Sequence, residues 1–111
     1  MPLDGYFDIT VTRNVANFVF TVENGGTNPV DLAFRSGKVA DVVVYESGTE
    51  VWRWSDGRMF TQALGTETLD PGQSFTHEVT WEDPPPGEYV AEVSLDARNV
   101  SLVERKAFEV R

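Results

Sequence analysis

Polar and apolar residues alternate with a period of two along most of this chain, the spacing of strands that bury one face and wet the other. Phe7, Ile9 and Val11 alternate with Asp8, Thr10 and Thr12. After Arg13-Asn14, the set Phe18, Phe20 and Val22 alternates with Val19, Thr21 and Glu23, so this opening region reads as a hairpin. Asn24-Gly25-Gly26-Thr27-Asn28-Pro29 is a dense loop signal, after which Val30, Leu32 and Phe34 form another apolar face and Ser36-Gly37-Lys38 turns the chain. Asp41-Val42-Val43-Val44-Tyr45 is apolar on both faces, as in a central strand or one covered by a loop. Ser47-Gly48 leads into a strand over residues 51–54. Beyond Asp56-Gly57, residues 60–69 read as a less regular strand in which Gly65 marks a bulge, closed by the turn Asp70-Pro71-Gly72.

The second half repeats the pattern. Phe75, His77, Val79 and Trp81 take one parity and Thr76, Glu78, Thr80 and Glu82 the other. Pro84-Pro85-Pro86-Gly87 is a stiff connection, followed by Tyr89, Ala91, Val93 and Leu95 facing inward, and residues 100–110 supply the closing strand or strands. Short strands punctuated by turns, without helical periodicity, predict an all-β antiparallel sandwich; a small antiparallel barrel is the alternative.

With 111 residues, the expectation is one domain spanning residues 1–111, burying about 65% of its unfolded surface. Cysteine is absent, which removes disulfides, thiolate catalysis and thiolate metal sites. The opening Met1-Pro2-Leu3-Asp4-Gly5 has neither a basic segment nor an apolar run, and no stretch is long enough to cross a bilayer. The expected location is the cytoplasm, without membrane attachment. A formal charge of −9, from 18 acidic and 9 basic residues, opposes binding to nucleic acid or an anionic membrane. Of the basic residues only Lys38 and Lys106 are lysines. Excess carboxylate with scarce lysine fits a salt-rich, halophilic cytosol, because self-repulsion is screened there. Equal stability in dilute buffer and in concentrated potassium chloride would overturn that expectation.

Candidate chemistry is sparse. His77 is the sole histidine, lies mid-strand with core parity and has no nucleophile or orienting carboxylate placed beside it. Carboxylates are scattered over wet faces rather than grouped at ligand spacing, and no calcium-loop, zinc or phosphate-loop pattern occurs. No catalytic residue, metal ligand or cofactor is expected. Recognition has better candidates. Trp52 and Trp54 share a face, and with Arg53 they anchor Ser55-Asp56-Gly57-Arg58-Met59-Phe60, a sharp turn from which large side chains emerge. Either that loop meets a partner or Met59 and Phe60 fold back to plug the end of the core. Pro84, Pro85, Pro86 and Gly87 form a second candidate loop, pre-set near polyproline II, whose other reading is a strand connection.

The segments Asp41-Val42-Val43-Val44-Tyr45, Trp52 to Ala63, Leu69-Asp70-Pro71-Gly72-Gln73-Ser74, Trp81 and Pro86-Gly87-Glu88-Tyr89 resemble the intracellular proteinase inhibitor family typified by BsuPI, over nearly the whole chain. The resemblance implies an immunoglobulin-like sandwich. It also implies an inhibitor of serine proteases, chiefly subtilisin-like enzymes, that occludes the substrate cleft noncovalently with a rigid loop. Met59 or Phe60 would then suit an apolar specificity pocket, Asp56-Gly57 would set the turn, and Arg53 or Arg58 would brace it through carboxylates. A noncatalytic interaction or carbohydrate-binding module is the alternative and requires Trp52 and Trp54 to form an open platform. The Asn-Pro-Thr-Thr-Gly loop of sandwich inhibitors of papain-like proteases is not matched, since Asn28-Pro29 continues into Val30-Asp31. The sequence sets no oligomeric state.

Overall fold

A computed structural model describes residues 3–111. Nine strands follow in chain order, with no helix among the described residues: β1 Leu3–Thr12, β2 Val15–Asn24, β3 Val30–Phe34, β4 Ala40–Glu46, β5 Thr49–Arg53, β6 Gly65–Leu69, β7 Ser74–Glu82, β8 Gly87–Leu95 and β9 Val103–Val110. They pair antiparallel as one sheet β1-β2-β7, a ribbon β3-β6, and a second sheet β5-β4-β8-β9. No ladder joins β9 to β1 or β5 to β7, so the sheets face each other as an immunoglobulin-like sandwich and do not close into the alternative barrel.

The alternation read from the sequence is what fills the space between the sheets. Phe18, Phe20 and Val22 of β2, with Val79 and Trp81 of β7, are buried against Val42 and Val44 of β4 and Tyr89, Ala91 and Val93 of β8. Aromatic rings cross the interface: Phe18 stacks on Trp52 at 5.9 Å between centroids, Trp52 on Trp81 at 5.5 Å, and Trp81 meets Tyr89 edge-on at 5.2 Å. Such pairs contribute about 0.5–1.5 kcal/mol each beyond the area they bury. The run apolar on both faces is indeed a central strand, with β4 lying between β5 and β8. On its outer face, buried Val43 sits in register between Arg53 and Glu92, and Glu92 pairs in turn with Arg105.

Turn chemistry sets the connections. Ser47 (φ 50°) and Gly48 (φ 81°) are both left-handed, as a two-residue β4–β5 hairpin requires. Buried Asn24 satisfies every polar atom of its side chain: its amide donates to the carbonyls of Asn28 and Leu69 and its oxygen accepts from Gly26 N. Loop 24–29 is thereby tied to the 69–73 turn. Asn99 is occupied bridging Asp31 O and Ala33 N on β3.

The structure departs from the sequence reading at several points, beginning with the strand read over residues 51–54, which is β5, Thr49–Arg53. Residues 60–64 are not strand, because nothing pairs with them; β6 starts at Gly65, opposite Phe34. The irregularity expected at Gly65 lies instead between Val44 and Tyr45, where Val51 is the extra residue on β5. Residues 100–102 precede the closing strand rather than belonging to it.

Register also sorts the loops between the two ends of the sandwich. The turn 35–39, the loop 54–64 and the segment 96–102 gather where β4 and β9 begin and β5 and β8 end. The turns 13–14, 47–48 and 83–86 gather at the other end.

Candidate functional site

A carboxylate buried in an apolar strand must be compensated, and Asp41 is compensated by the loop that follows β5. Its Oδ2 accepts from Ser55 Oγ at 2.6 Å, and its Oδ1 accepts from Ser55 N at 3.2 Å and from Val42 N at 2.9 Å. Arg53 and Lys38 each approach Oδ2 at 3.5 Å. Arg53 also grips Glu50 at 2.8 Å; that hydrogen bond holds the Glu50 carboxyl below its ordinary range and raises the Arg53 guanidinium further above its own. The start of the loop is fixed to the sheet by a charge-assisted network, in which the bonds from Ser55 to the buried Asp41 contribute about 1.5–3 kcal/mol each.

Trp54 organises the next turn. Its N donates to Val42 O, prolonging the β5–β4 pairing past the last strand residue. The residues after it form a tight turn in which Arg58 N donates to Ser55 O at 3.2 Å and Gly57 takes φ 76°, a conformation that favours glycine. The turn folds Arg58 back over the indole: its guanidinium carbon lies 4.8 Å from the ring centroid and its Nε donates to Trp54 O at 2.9 Å. Phe60 packs on the same ring at 5.5 Å, and His77 of β7 meets it perpendicularly at 4.9 Å. Burial pushes the His77 imidazole below the ordinary histidine value, and its Nε2 is buried without a partner. Between Arg58, exposed but laid over the indole, and half-buried Phe60, Met59 is left 98% exposed. A groove of about 670 Å³ opens beside it, bordered by Arg35, Lys38, Gln62 and Asp96.

The proline loop at the opposite end is built differently. Asp83 (φ 53°) donates its N to Asn14 O at 2.8 Å, Pro84 is buried, and Tyr89 Oη donates to Pro85 O at 2.6 Å. Burial, and then the charge of Glu46, push the Tyr89 phenol up, which keeps it a donor. A Cβ on Gly87 would lie 2.8 Å from Glu46 Oε2 and 3.2 Å from Tyr89 Oη. The prolines cap the aromatic core there, and only Pro85 and Pro86 reach the surface.

The family model of the BsuPI intracellular proteinase inhibitor matches residues 6–100. The chain belongs to that family. It is an inhibitor family, with a proteinase as the partner, and not a family of enzymes. No curated protein matches the chain by sequence. Among solved structures it is similar to a β-glucosidase from Kluyveromyces marxianus in complex with glucose, at 18% identity and TM-score 0.55, covering 98% of this chain and 14% of that one. β-Glucosidase 3B from Thermotoga neapolitana in complex with α-D-glucose aligns at 15% identity and TM-score 0.50, over 97% of this chain and 17% of that one. At these identities the likeness is one of fold.

The structure separates two pairs of side chains that the sequence reading left as alternatives. Phe60 is a brace, leaving Met59 alone at the tip, because the turn at Gly57 brings residues 58 and 60 back to Trp54. Of the two arginines offered as braces through carboxylates, Arg53 is the one that does so, through Glu50 and Asp41, while Arg58 braces through an aromatic ring and a carbonyl. Trp52 and Trp54 are engaged by neighbouring rings and offer no open platform. Asp41 is the site residue that sequence reasoning missed; the signal was a lone carboxylate within the run from Ala40 to Val44. Among the described residues no helix is long and apolar enough to cross a membrane, and no group of three His, Asp or Glu side chains could hold a metal ion.

Proposed function

We propose that this chain, acting as one domain over residues 1–111, inhibits subtilisin-like serine proteases in a salt-rich cytoplasm by noncovalent occlusion of the substrate cleft. The contact is the loop of residues 55–60. The observation that carries the reading is the contrast within that loop: Met59 stands 98% exposed while Asp41 holds Ser55, and Trp54 holds Arg58 and Phe60. An exposed apolar side chain on an immobilised backbone loses little conformational freedom on binding, which is how a short loop becomes a tight ligand. A large apolar residue at the tip favours an enzyme with an apolar specificity pocket over one that needs lysine or arginine. The family match supports the proteinase partner.

The sugar-binding alternative lacks its platform, since both tryptophan rings are occupied within the protein. The deciding experiment is a titration, in high salt, against subtilisin-like, trypsin-like and papain-like proteases. Stoichiometric inhibition of the subtilisin-like enzymes alone is expected. Inhibition confined to another class would replace the target, and none at all would remove the inhibitor reading.

A further inference from the structure

Between the turn at Gly57 and the start of β6, residues 59–64 run Met-Phe-Thr-Gln-Ala-Leu, without charge or proline, in a chain whose residues are 24% charged. Thr61, Gln62, Ala63 and Leu64 are all exposed, Leu64 to 70%. Among the described residues the main chain of this stretch makes one hydrogen bond, accepted by Thr61 O from Gly37 N at 2.9 Å. That single tie is close. A Cβ on Gly37 would lie 2.6 Å from Thr61 Oγ1 and 3.3 Å from Thr61 N, so a larger residue there would push Thr61 away and loosen the clasp of the 35–39 turn on the middle of the segment. Phe60 on Trp54 holds one end, and the pairing of Gly65 with Phe34 holds the other.

An exposed length of chain with free donors and acceptors is a template on which another strand can pair. Fixing it at both ends and in the middle keeps it from collapsing onto its own sheet and lowers the ordering cost of binding. Exposed segments in so charged a chain ordinarily carry charge; this one carries side chains that an unselective peptide cleft accepts.

We propose that residues 59–64 enter the target proteinase as an extended, substrate-like strand. Their main chain pairs with the strand lining the cleft, and Leu64 seats as a second apolar anchor, five residues beyond Met59. This rests on the inhibitor reading and specifies the partner: an endoproteinase whose cleft binds an uncharged extended peptide through its backbone over several residues. An enzyme that recognises a charged residue within that stretch finds none.

Hydrogen exchange on the full-length protein, free and bound to whichever proteinase of the panel it inhibits, tests the pairing directly. Amides in residues 59–64 should slow at least tenfold in the complex, with no comparable change in 83–87. Leu64→Asp, at an exposed position, should raise the inhibition constant at least tenfold at an unchanged thermal midpoint, while Val51→Asp on the β5 edge should leave it unaltered. Inhibition without protection of residues 59–64, or undiminished in a folded Leu64→Asp variant, would overturn the strand model and leave the inhibitor reading standing. Should Leu64→Asp fail to fold, exchange on the unmodified protein decides alone. Absence of inhibition against every protease would instead remove the inhibitor reading, and the strand model with it.

Discussion

The two ends of the sandwich are both braced, but they hold different kinds of side chain at the surface. At the proline end the rigid elements point inward: Pro84 is buried, Pro85 O is taken by Tyr89, and Gly87 is hemmed in by Glu46. At the Trp54 end the rigid elements form a pedestal, and the residue they surround, Met59, touches almost nothing. Stiffness alone therefore does not identify a binding loop. The pair teaches that the informative quantity is stiffness combined with unused side chain and backbone, of which residues 59–64 retain more than the proline loop, of whose prolines only Pro85 and Pro86 are exposed.

Truncation should separate the two ends most sharply. Trp81→Ala, at the proline end between Trp52 and Tyr89, should cost about 3–5 kcal/mol of folding stability in a denaturant titration. Met59→Ala should do the converse, leaving the unfolding midpoint in place and weakening inhibition by about 2–4 kcal/mol, as loss of an interface anchor does. A folded Met59→Ala that inhibits fully would erase the functional distinction between the ends. Asp41→Asn probes the pedestal: the lost charge weakens its ties to Ser55, Arg53 and Lys38, so stability should fall by about 1–3 kcal/mol and inhibition should weaken with it. Tyr89→Phe removes only the bond to Pro85 O; about 1 kcal/mol of stability should go, with inhibition unchanged.

The smallest effect is a pH dependence. Because burial holds the His77 pKa in the folded protein below its ordinary value, the unfolded chain binds the proton more readily. The stabilisation from keeping the imidazole neutral is complete above about pH 6.5, the unfolded value, and diminishes as pH falls from there through the lower folded value. Denaturant midpoints measured downward from pH 7 should fall less steeply in His77→Gln than in the parent, until the carboxylates begin to protonate. Since His77 lies against Trp54, inhibition should track the same curve at the loop end.

How much of this could be read beforehand depended on how local its cause is. The hairpin of β1 and β2, the double-faced strand β4 and the inward set Tyr89, Ala91, Val93 and Leu95 were legible because alternation acts within each segment. The end of β5 and the character of residues 60–64 were not, since a strand exists only where a partner supplies the other half of its hydrogen bonds, and no local pattern states that none will come. The choice between Arg53 and Arg58, and between Met59 and Phe60, stayed open for a related reason: a left-handed residue at Gly57 decides which neighbours fold back, and hydrophobicity alone had made Met59 and Phe60 equivalent. Asp41 announced its burial through its apolar neighbours, but its partner Ser55 lies across the sheet's end and could be paired with it only once β4 and β5 were in register.

An open, uncharged stretch of chain is also where two molecules of the same protein would first adhere, edge to edge, before any proteinase arrived. Nothing inside residues 59–64 prevents it, so the protection must come from the molecule as a whole. A net charge of −9 makes every approaching copy a repelling one. The carboxylates outside the proposed contact loop thus act as its sheath, by repulsion in dilute buffer and, in a salt-rich cytoplasm where that repulsion is screened, by the water they hold; acid would strip it away in either.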